Sequence, residues 1–174
     1  QVNLVWVPPN AHHTIGYIAR VSNVSAKPTD SATSLISYTI KCRHWSPFEM
    51  ANMCLEIMTE RDVSRQILRH HALAFQEFSQ RYAATTTLPE APNRPARMQD
   101  QKNRQKSKPC RDPDLMDWWD EAQTKIKMEA DAVYNTALEM GVAKEVARSI
   151  LPEGLTTTRM YVNGDIRSWL HYCE

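Results

Sequence analysis

The stretch ERDVSRQILRHHALAFQEFSQRYA, which runs from Glu60 to Ala83, contains the change of hydrophobic period that decides the fold class. Its first part predicts a helix, because Val63, Ile67 and His70 recur at helical spacing and share one face. Its second part, 75–81, alternates with a period of two, as side chains do on a strand. A helix that leads into a strand indicates an α+β protein.

The same stretch is dense in hydrogen-bonding side chains, which are costly to bury without a ligand. On the predicted strand, Glu77, Ser79 and Arg81 would lie side by side on one face. Arginine can bind a phosphate through two donors, while carboxylates and amides can bind the edges of a ring. The alternative is a solvated, charged helix followed by an edge strand. At the start of the helix, Thr59 is expected to form the cap, with Asp62 three residues on.

Length and composition exclude several classes of protein. A chain of 174 residues supports one domain with a core, and its formal net charge of +1 gives no overall field that would select a polyanion. The four cysteines form no C-x-x-C pair, which favours free thiols in a reducing compartment, and no metal site is expected. No long apolar run or signal peptide is present, so we expect a soluble protein of the cytoplasm, or of the host cytoplasm if it is viral. With four glycines and no phosphate-binding glycine loop, the sequence does not support a Rossmann or P-loop protein.

Hydrophobic patterning predicts a single α+β domain over residues 1–174, with a central mixed or antiparallel sheet flanked by helices. The strands are expected at 2–7, 52–58, 75–81 and 156–162. Further helices are expected at 12–22, 30–43, 115–140, 142–151 and 166–172. Asn163-Gly164 is expected to turn the chain after the last strand, and Asp165 to cap the final helix.

The longest of these helices, about 115–140, has the strongest amphipathic pattern, and Gly141 is expected to end it. Its expected buried stripe consists of Trp118, Trp119, Ala122, Ile126, Ala130, Val133, Ala137 and Met140.

Residues 85–113 are predicted to form an irregular basic loop, because five prolines exclude long regular structure there. Between Arg94 and Arg111 the chain carries seven lysines and arginines against one acid, Asp100. A nucleic-acid-binding arm is one interpretation of this charge. A solvated loop is favoured, because the segment has no aromatic residue on which a base could stack.

The triplet Arg69-His70-His71, followed after seven residues by Ser79, resembles the R-H-R-x7-S signature of the flavin-dependent thymidylate synthases. The flanks agree, with Gln66 before the triplet, Gln76-Glu77 at the family's Asn/Gln-Glu position, and Ser79-Gln80-Arg81-Tyr82 matching S-x-R-Y. One position departs, because a histidine replaces the second arginine of the signature. A neutral imidazole offers one donor where a guanidinium offers five.

Looser segments in the same order extend the resemblance over nearly the whole chain. Residues 44–49 resemble the family's H-x-[ST]-x-[FL]-E segment, in which Ser46 and Glu49 would approach the flavin. The same residues fit a helix start, with Ser46 as N-cap, Pro47 at the first helical position and Glu49 closing a capping box. Both interpretations can hold together, because a capping glutamate can still face a ligand.

Two further segments lie near the C-terminus. Residues 147–152 match the family's A-R-x-x-L-P, which makes Arg148 the nucleotide-binding arginine. Asn163, Arg167 and His171 match flavin-contacting positions, and the last two share a helix face. In the family this helix continues to another arginine and a charged tail, which the resemblance places after residue 174.

The resemblance implies conversion of dUMP to dTMP, with methylenetetrahydrofolate as carbon donor, reduced FAD as hydride donor and NADPH as reductant of the flavin. It also implies a homotetramer with shared active sites. The substrate-binding residues would be Gln66, Arg69, Glu77, Ser79, Gln80, Arg81 and Arg148. The cofactor-binding residues would be Ser46, Glu49, Arg69, His70, His71, Gln76, Glu77, Asn163, Arg167 and His171.

Arg69, Glu77 and Ser79 are the candidates for direct action on the substrate. No cysteine or serine has a recognisable base and orienting partner, so the chemistry is expected to depend on the cofactor. Ser79 is expected to donate to the phosphate. One alternative function is a pyrimidine nucleotide hydroxymethylase on the same scaffold. The other is a non-catalytic module that binds nucleic acid through residues 94–111. We favour the enzyme over this module and expect no nucleic-acid partner.

Overall fold

The computed structural model describes residues 1–25, 27 and 31–174 and confirms an α+β domain. The strands are β1 (Val2–Trp6), β2 (Asn52–Glu60), β3 (Ala74–Glu77), β4 (Arg97–Gln99), β5 (Ser107–Pro109) and β6 (Thr157–Asp165). The α-helices are α1 (Ala11–Ile18), α2 (Thr33–Lys41), α3 (Arg61–Ile67), α4 (Pro113–Glu139), α5 (Lys144–Ala147) and α6 (Ile166–Cys173). Short 3-10 helices cover Ser46–Met50, Thr85–Thr87, Arg148–Ile150 and Glu153–Leu155. No helix in the described part of the chain is both long and apolar enough to cross a membrane.

The larger sheet has the strand order β1-β2-β6-β3, and β4 pairs with β5 in a separate sheet. The pairs β1–β2 and β3–β6 are antiparallel, with Leu4 opposite Leu55 and Phe75 opposite Val162. The β4–β5 hairpin lies within the stretch predicted to be an irregular loop. Its turn is held by Asp100, whose carboxylate accepts hydrogen bonds from two backbone N–H groups at 2.9 Å. Such a local polar turn has no hydrophobic period, which is why the sequence pattern missed it.

The domain contains two compact units. The first comprises Gln1–Met58, Arg65–Glu77 and Arg159–Glu174, and the second comprises Thr59–Ser64 and Phe78–Thr158.

The core of the first unit is small and close-packed. Ile15, Phe48 and Ala51 are buried together, with residues of α2 and α6 packed against them. Helices α1 and α2 approach closely at Gly16, where an added Cβ would lie 2.2 Å from the Cβ of Ala32. A side chain at that position would therefore force the two helices apart.

Helix α4 confirms the predicted long helix almost to its ends. Its first residue is Pro113, and Asp112 caps it by accepting two backbone N–H hydrogen bonds. Gly141 follows its end with a φ of 86°, a left-handed conformation that glycine adopts without steric cost.

The predicted buried stripe of α4 is wrong. The buried residues of this helix are Gln123 and Tyr134, and Tyr134 packs against Ala147 and Leu151. Gln123 is buried because its amide is satisfied twice by the backbone of Arg94, at 3.0 and 2.9 Å. Several members of the expected stripe are instead 38% to 79% exposed, namely Trp118, Trp119, Ile126, Val133 and Met140.

Two predicted helix caps are also wrong. The 3-10 helix Ser46–Met50 has Trp45 at its N-cap and no side-chain capping bond, so Ser46 and Glu49 form no capping box. Thr59 lies within β2, which leads directly into α3, so it cannot cap that helix. The hydroxyl of Thr59 bonds to the Glu60 carboxylate instead.

The predicted turn at Asn163-Gly164 is wrong, because β6 continues through both residues to Asp165. An added Cβ at Gly164 would lie 2.3 Å from Cδ2 of Leu73, so a side chain there would have to move the end of the Leu73 side chain. Asp165 does cap α6, accepting a hydrogen bond from the backbone N–H of Ser168 at 2.6 Å.

Other predicted elements are shorter than the patterns indicated. Strand β3 ends at Glu77, so Ser79 and Arg81 do not extend its face. Helix α2 begins at Thr33, and the predicted start at residue 30 lies outside the described residues. The predicted helix 142–151 consists of the one-turn α5 followed by a 3-10 turn.

An arginine–aspartate pair stabilises the second unit. Arg94 donates from both Nη atoms to the two carboxylate oxygens of Asp62, at 2.7 and 2.6 Å. These hydrogen bonds hold the pKa of Asp62 below its ordinary value, although burial acts in the opposite direction. Because both side chains are more than a third exposed, solvent screens the pair.

We expect Arg94→Ala to lower the free energy of unfolding by about 1 kcal/mol near neutral pH. A carboxylate with a lowered folded-state pKa stabilises the fold above its unfolded pKa, and that stability is lost as pH falls through the folded pKa. The difference between wild type and Arg94→Ala in urea unfolding should therefore shrink on acidification. Arg104→Ala, which removes an exposed arginine in the basic hairpin, is the control. A difference between wild type and Arg94→Ala that stayed constant in acid would contradict the role of this pair.

Candidate functional site

A cavity of about 540 Å³ in the first unit is lined by six of the residues predicted to bind a cofactor. These six are Glu49, Arg69, His70, His71, Arg167 and His171. The remaining lining residues are Ala72, Leu73, Asp165, Ser168 and Tyr172. Side chains from three separate segments of the chain therefore meet in one place.

The turn that follows α3 carries the three consecutive residues of the triplet. The backbone N–H groups of Arg69 and His70 donate to the carbonyls of Gln66 and Ile67, at 3.2 and 3.1 Å. The N–H of Leu73 then donates to the carbonyl of His70 at 3.0 Å. These bonds fix the backbone while leaving the three side chains exposed toward the cavity.

Helix α6 supplies the opposite set of side chains. Arg167 and His171 lie one turn apart on it, and Arg167 forms an ion pair with Glu49. The ring of His171 packs edge-on against Trp45 at 4.9 Å, and the ring of His70 packs edge-on against Tyr172 at 4.7 Å. Aromatic contacts thus orient two of the three imidazoles.

The side chains of the cavity suit an anionic, ring-containing ligand. Two guanidinium groups and three imidazoles face two carboxylates, those of Glu49 and Asp165. Guanidinium groups bind phosphates through pairs of hydrogen bonds, and imidazoles can donate to the same oxygens or stack on a ring. No group of three histidine, cysteine or carboxylate side chains suited to a metal ion occurs among the described residues.

The other predicted cofactor residues lie elsewhere in the first unit and do not line this cavity. Ser46 begins the 3-10 helix, and Gln76 is exposed on β3. The carboxylate of Glu77 lies 3.7 Å from the guanidinium of Arg65. Asn163 is on β6, where its side-chain oxygen is buried without a hydrogen-bond partner among the described residues. The predicted substrate residue Gln66 is exposed on α3.

A second set of predicted residues lies in the second unit. Ser79 forms a turn, its hydroxyl accepting from the backbone N–H of Arg81 at 3.4 Å and its carbonyl from that of Tyr82 at 3.1 Å. Gln80 is only 3% exposed, and its amide nitrogen has no partner among the described residues. Arg148 follows α5 at the start of a 3-10 turn.

Glu145 links the two arginines of this set. Its carboxylate accepts a hydrogen bond from Nε of Arg81 at 3.1 Å and forms an ion pair with Nη2 at 3.0 Å. Its backbone carbonyl accepts from Nε of Arg148 at 3.2 Å. The structure therefore brings Arg81 and Arg148 into contact with the same residue of α5.

Sequence reasoning missed Glu145 and Tyr172. Glu145 lies three residues before Arg148, a helical spacing that could have indicated contact. Tyr172 is adjacent to His171 and follows Trp169, whose ring it contacts at 5.9 Å. An aromatic residue beside a predicted ligand residue was a usable signal.

Comparisons with known proteins agree over nearly the whole chain. The family model described as "Thymidylate synthase complementing protein" matches residues 3–174. A "Probable flavin-dependent thymidylate synthase" of Paramecium bursaria Chlorella virus 1 is 46% identical over 94% of this chain and 75% of its own length. A flavin-dependent thymidylate synthase of Synechocystis is 44% identical over 95% of this chain and 74% of its own.

Solved structures show the same fold. A UMP/dUMP methylase from Streptomyces cacaoi, crystallised with 5-Br dUMP, superposes with a TM-score of 0.79 at 26% identity. The match covers 99% of this chain and 75% of that one. The same enzyme with 5-Br UMP gives a TM-score of 0.78.

Proposed function

We infer the function from one premise: this chain belongs to the flavin-dependent thymidylate synthase family, which both the family model and a 46% identical relative show. We propose that it is a transferase that methylates dUMP to dTMP. The observation that carries the proposal is the cavity in which Arg69, His70 and His71 meet Arg167 and His171.

The cofactor we propose is FAD. When bound, the flavin supplies the hydride for the reaction. The donor set fits this group, because Arg69, Arg167 and the imidazoles can bind its two phosphates while aromatic side chains border its rings. His71 stands where the family signature has arginine, so it would make a single hydrogen bond there instead of a bidentate contact. Glu49, which lines the cavity beside Arg167, is a further proposed flavin contact. Ser46, Gln76, Glu77 and Asn163 are proposed flavin contacts on the resemblance alone.

The substrate phosphate is proposed to bind Arg81 and Arg148, both of which contact Glu145. Ser79 would add a hydroxyl donor. Gln66, Arg69, Glu77 and Gln80 are proposed to orient the pyrimidine. An arginine beside a pyrimidine carbonyl stabilises the negative charge that develops on the ring during carbon transfer. Arg69, Glu77 and Ser79 are the proposed catalytic residues.

Methylenetetrahydrofolate is proposed as the carbon donor and NADPH as the reductant of the flavin. We also propose a homotetramer whose sites borrow residues from neighbouring subunits. The exposed apolar side chains on α4, Trp118, Ile126 and Val133 among them, support association, because such a surface is rarely left in water. The cytoplasm is the proposed location.

The test begins with the visible spectrum of the purified protein, where a flavin band is expected. Sedimentation of the same sample should give a tetramer. The flavin-loaded protein is then supplied with methylenetetrahydrofolate, NADPH and either dUMP or UMP, and the mass of the product is measured by mass spectrometry. dTMP is the expected product. A hydroxymethylated nucleotide would point to the alternative enzyme, and a protein that binds neither flavin nor dUMP would refute the proposal.

A further inference from the structure

The carboxylate of Glu145 occupies the side of Arg81 that binds acids best. One of its oxygens, Oε2, accepts a hydrogen bond from Nε of the guanidinium at 3.1 Å and forms an ion pair with Nη2 at 3.0 Å. A phosphate oxygen approaching Arg81 would use the same two donors, because the geometry of the guanidinium fork matches carboxylate and phosphate alike. In this structure, therefore, an acid of the chain itself stands where a ligand acid would bind.

The backbone of Glu145 leaves Arg148 ready for the same ligand. Its carbonyl accepts only from Nε of Arg148, at 3.2 Å. Both Nη atoms of Arg148 lack a hydrogen bond or ion pair among the described residues. Glu145, which pairs with Arg81, thus holds Arg148 while both of its Nη groups stay free of partners among the described residues.

The turn that carries Arg81 is held independently of the Glu145 side chain. Nζ of Lys144 donates to the carbonyl of Tyr82 at 3.1 Å, and the turn has its own hydrogen bonds through Ser79. Loss of the Glu145 carboxylate would therefore free the guanidinium of Arg81 without releasing its backbone.

The ion pair is weak enough to be exchanged. The side chains of Arg81 and Glu145 are 59% and 52% exposed, and exposed pairs of this kind contribute little to stability. A phosphate dianion carries more charge than a carboxylate and offers three strong acceptor oxygens. It would therefore displace the carboxylate.

We propose that the carboxylate of Glu145 competes with the substrate phosphate for Arg81. Glu145 pairs with Arg81 until the phosphate of a nucleotide monophosphate displaces it. This inference rests on the proposed function, because it takes Arg81 and Arg148 as the phosphate-binding pair. Glu145 is a positioning residue that acts through Arg81. After exchange its carboxylate remains beside the phosphate, so it sets a penalty against the dianion.

The variant that tests this is Glu145→Gln, which keeps the shape of the side chain and removes its charge. Calorimetric titration of the flavin-loaded full chain with dUMP should show affinity raised roughly twofold to fivefold, the size of an exposed ion pair. Binding of deoxyuridine, which has no phosphate, should stay the same. Glu139→Gln, which neutralises an exposed acid at the end of α4, is the control and should change neither.

Combination with Arg81→Ala shows whether Glu145 acts through Arg81. The increase in dUMP affinity caused by Glu145→Gln should disappear in the Arg81→Ala background, because the guanidinium for which carboxylate and phosphate compete is gone. If Arg81→Ala and Arg148→Ala both leave dUMP binding unchanged, the phosphate assignment itself fails. If they weaken binding while Glu145→Gln also weakens it or leaves it unchanged, the phosphate assignment stands and the competitor role is overturned.

Discussion

Tyr134→Ala is expected to lower the free energy of unfolding by about 3–5 kcal/mol, the cost of removing a large aromatic side chain from a core. The side chain of Tyr134 is 0% exposed and packs against Ala147 and Leu151. Those two residues flank the 3-10 turn Arg148–Ile150 and cannot close the space without moving it. The variant should therefore also bind dUMP more weakly than wild type, by more than the loss of folded protein alone would explain.

Tyr134→Phe is the matched control for this prediction. The hydroxyl of Tyr134 is buried without a hydrogen-bond partner among the described residues, so its removal relieves a desolvation cost. We expect Tyr134→Phe to be as stable as wild type or slightly more stable in urea unfolding. If Tyr134→Phe lowers the free energy of unfolding as much as Tyr134→Ala does, the hydroxyl has a partner, and the loss is not due to the space left by the ring.

Arg148→Ala is expected to weaken dUMP binding by roughly tenfold to a hundredfold, since a charge-assisted contact contributes about 1.5–3 kcal/mol. Arg81→Ala should show a smaller loss, because in the free protein its guanidinium is already paired with Glu145. The measurement is calorimetric titration of each flavin-loaded variant with dUMP.

Two comparisons sharpen this result. Arg148→Lys keeps the charge but loses the planar pair of donors, so its affinity should fall between those of wild type and Arg148→Ala. Deoxyuridine binding should be nearly the same in all of these proteins. A loss of deoxyuridine binding equal to that of dUMP would mean that Arg148 holds the fold and not the phosphate.

The cavity could be predicted from the sequence because its residues form recognisable segments. The triplet at 69–71 is continuous, so its residues stay together in any fold, and Arg167 and His171 have helical spacing, so they share a helix face. That the two sets meet came from the resemblance to a family, because no local pattern specifies which faces oppose one another.

The buried face of α4 could not be predicted in the same way. The apolar stripe through Trp118, Ile126 and Val133 is real, but within one chain it remains largely exposed. Gln123 is buried in its place because the backbone of Arg94 satisfies its amide, a contact between residues far apart in sequence. Hydrophobic periodicity identifies a surface that avoids water without identifying its partner.

The helix caps and the Asn163-Gly164 turn failed for a related reason. Serine and threonine before a helical pattern are common caps, but Thr59 lies within β2. Asn-Gly is a strong hairpin signal, yet here β6 continues through both residues and the glycine packs closely against the side chain of Leu73. For Thr59 and Asn163-Gly164, membership of a strand in the larger sheet overrode the local preference.

The contact between Gly164 and Leu73 has a consequence for how this protein can change over time. Leu73 closes the turn that presents His70 and His71 and lines the cavity, so a larger residue at position 164 would displace the end of its side chain beside that turn. Relatives that gain volume at position 164 should have lost it at position 73, since only the sum of the two is constrained. Drift at two residues without any reactive group would thus adjust the aperture of the cavity, and a search for paired substitutions among related sequences should find these positions exchanging size.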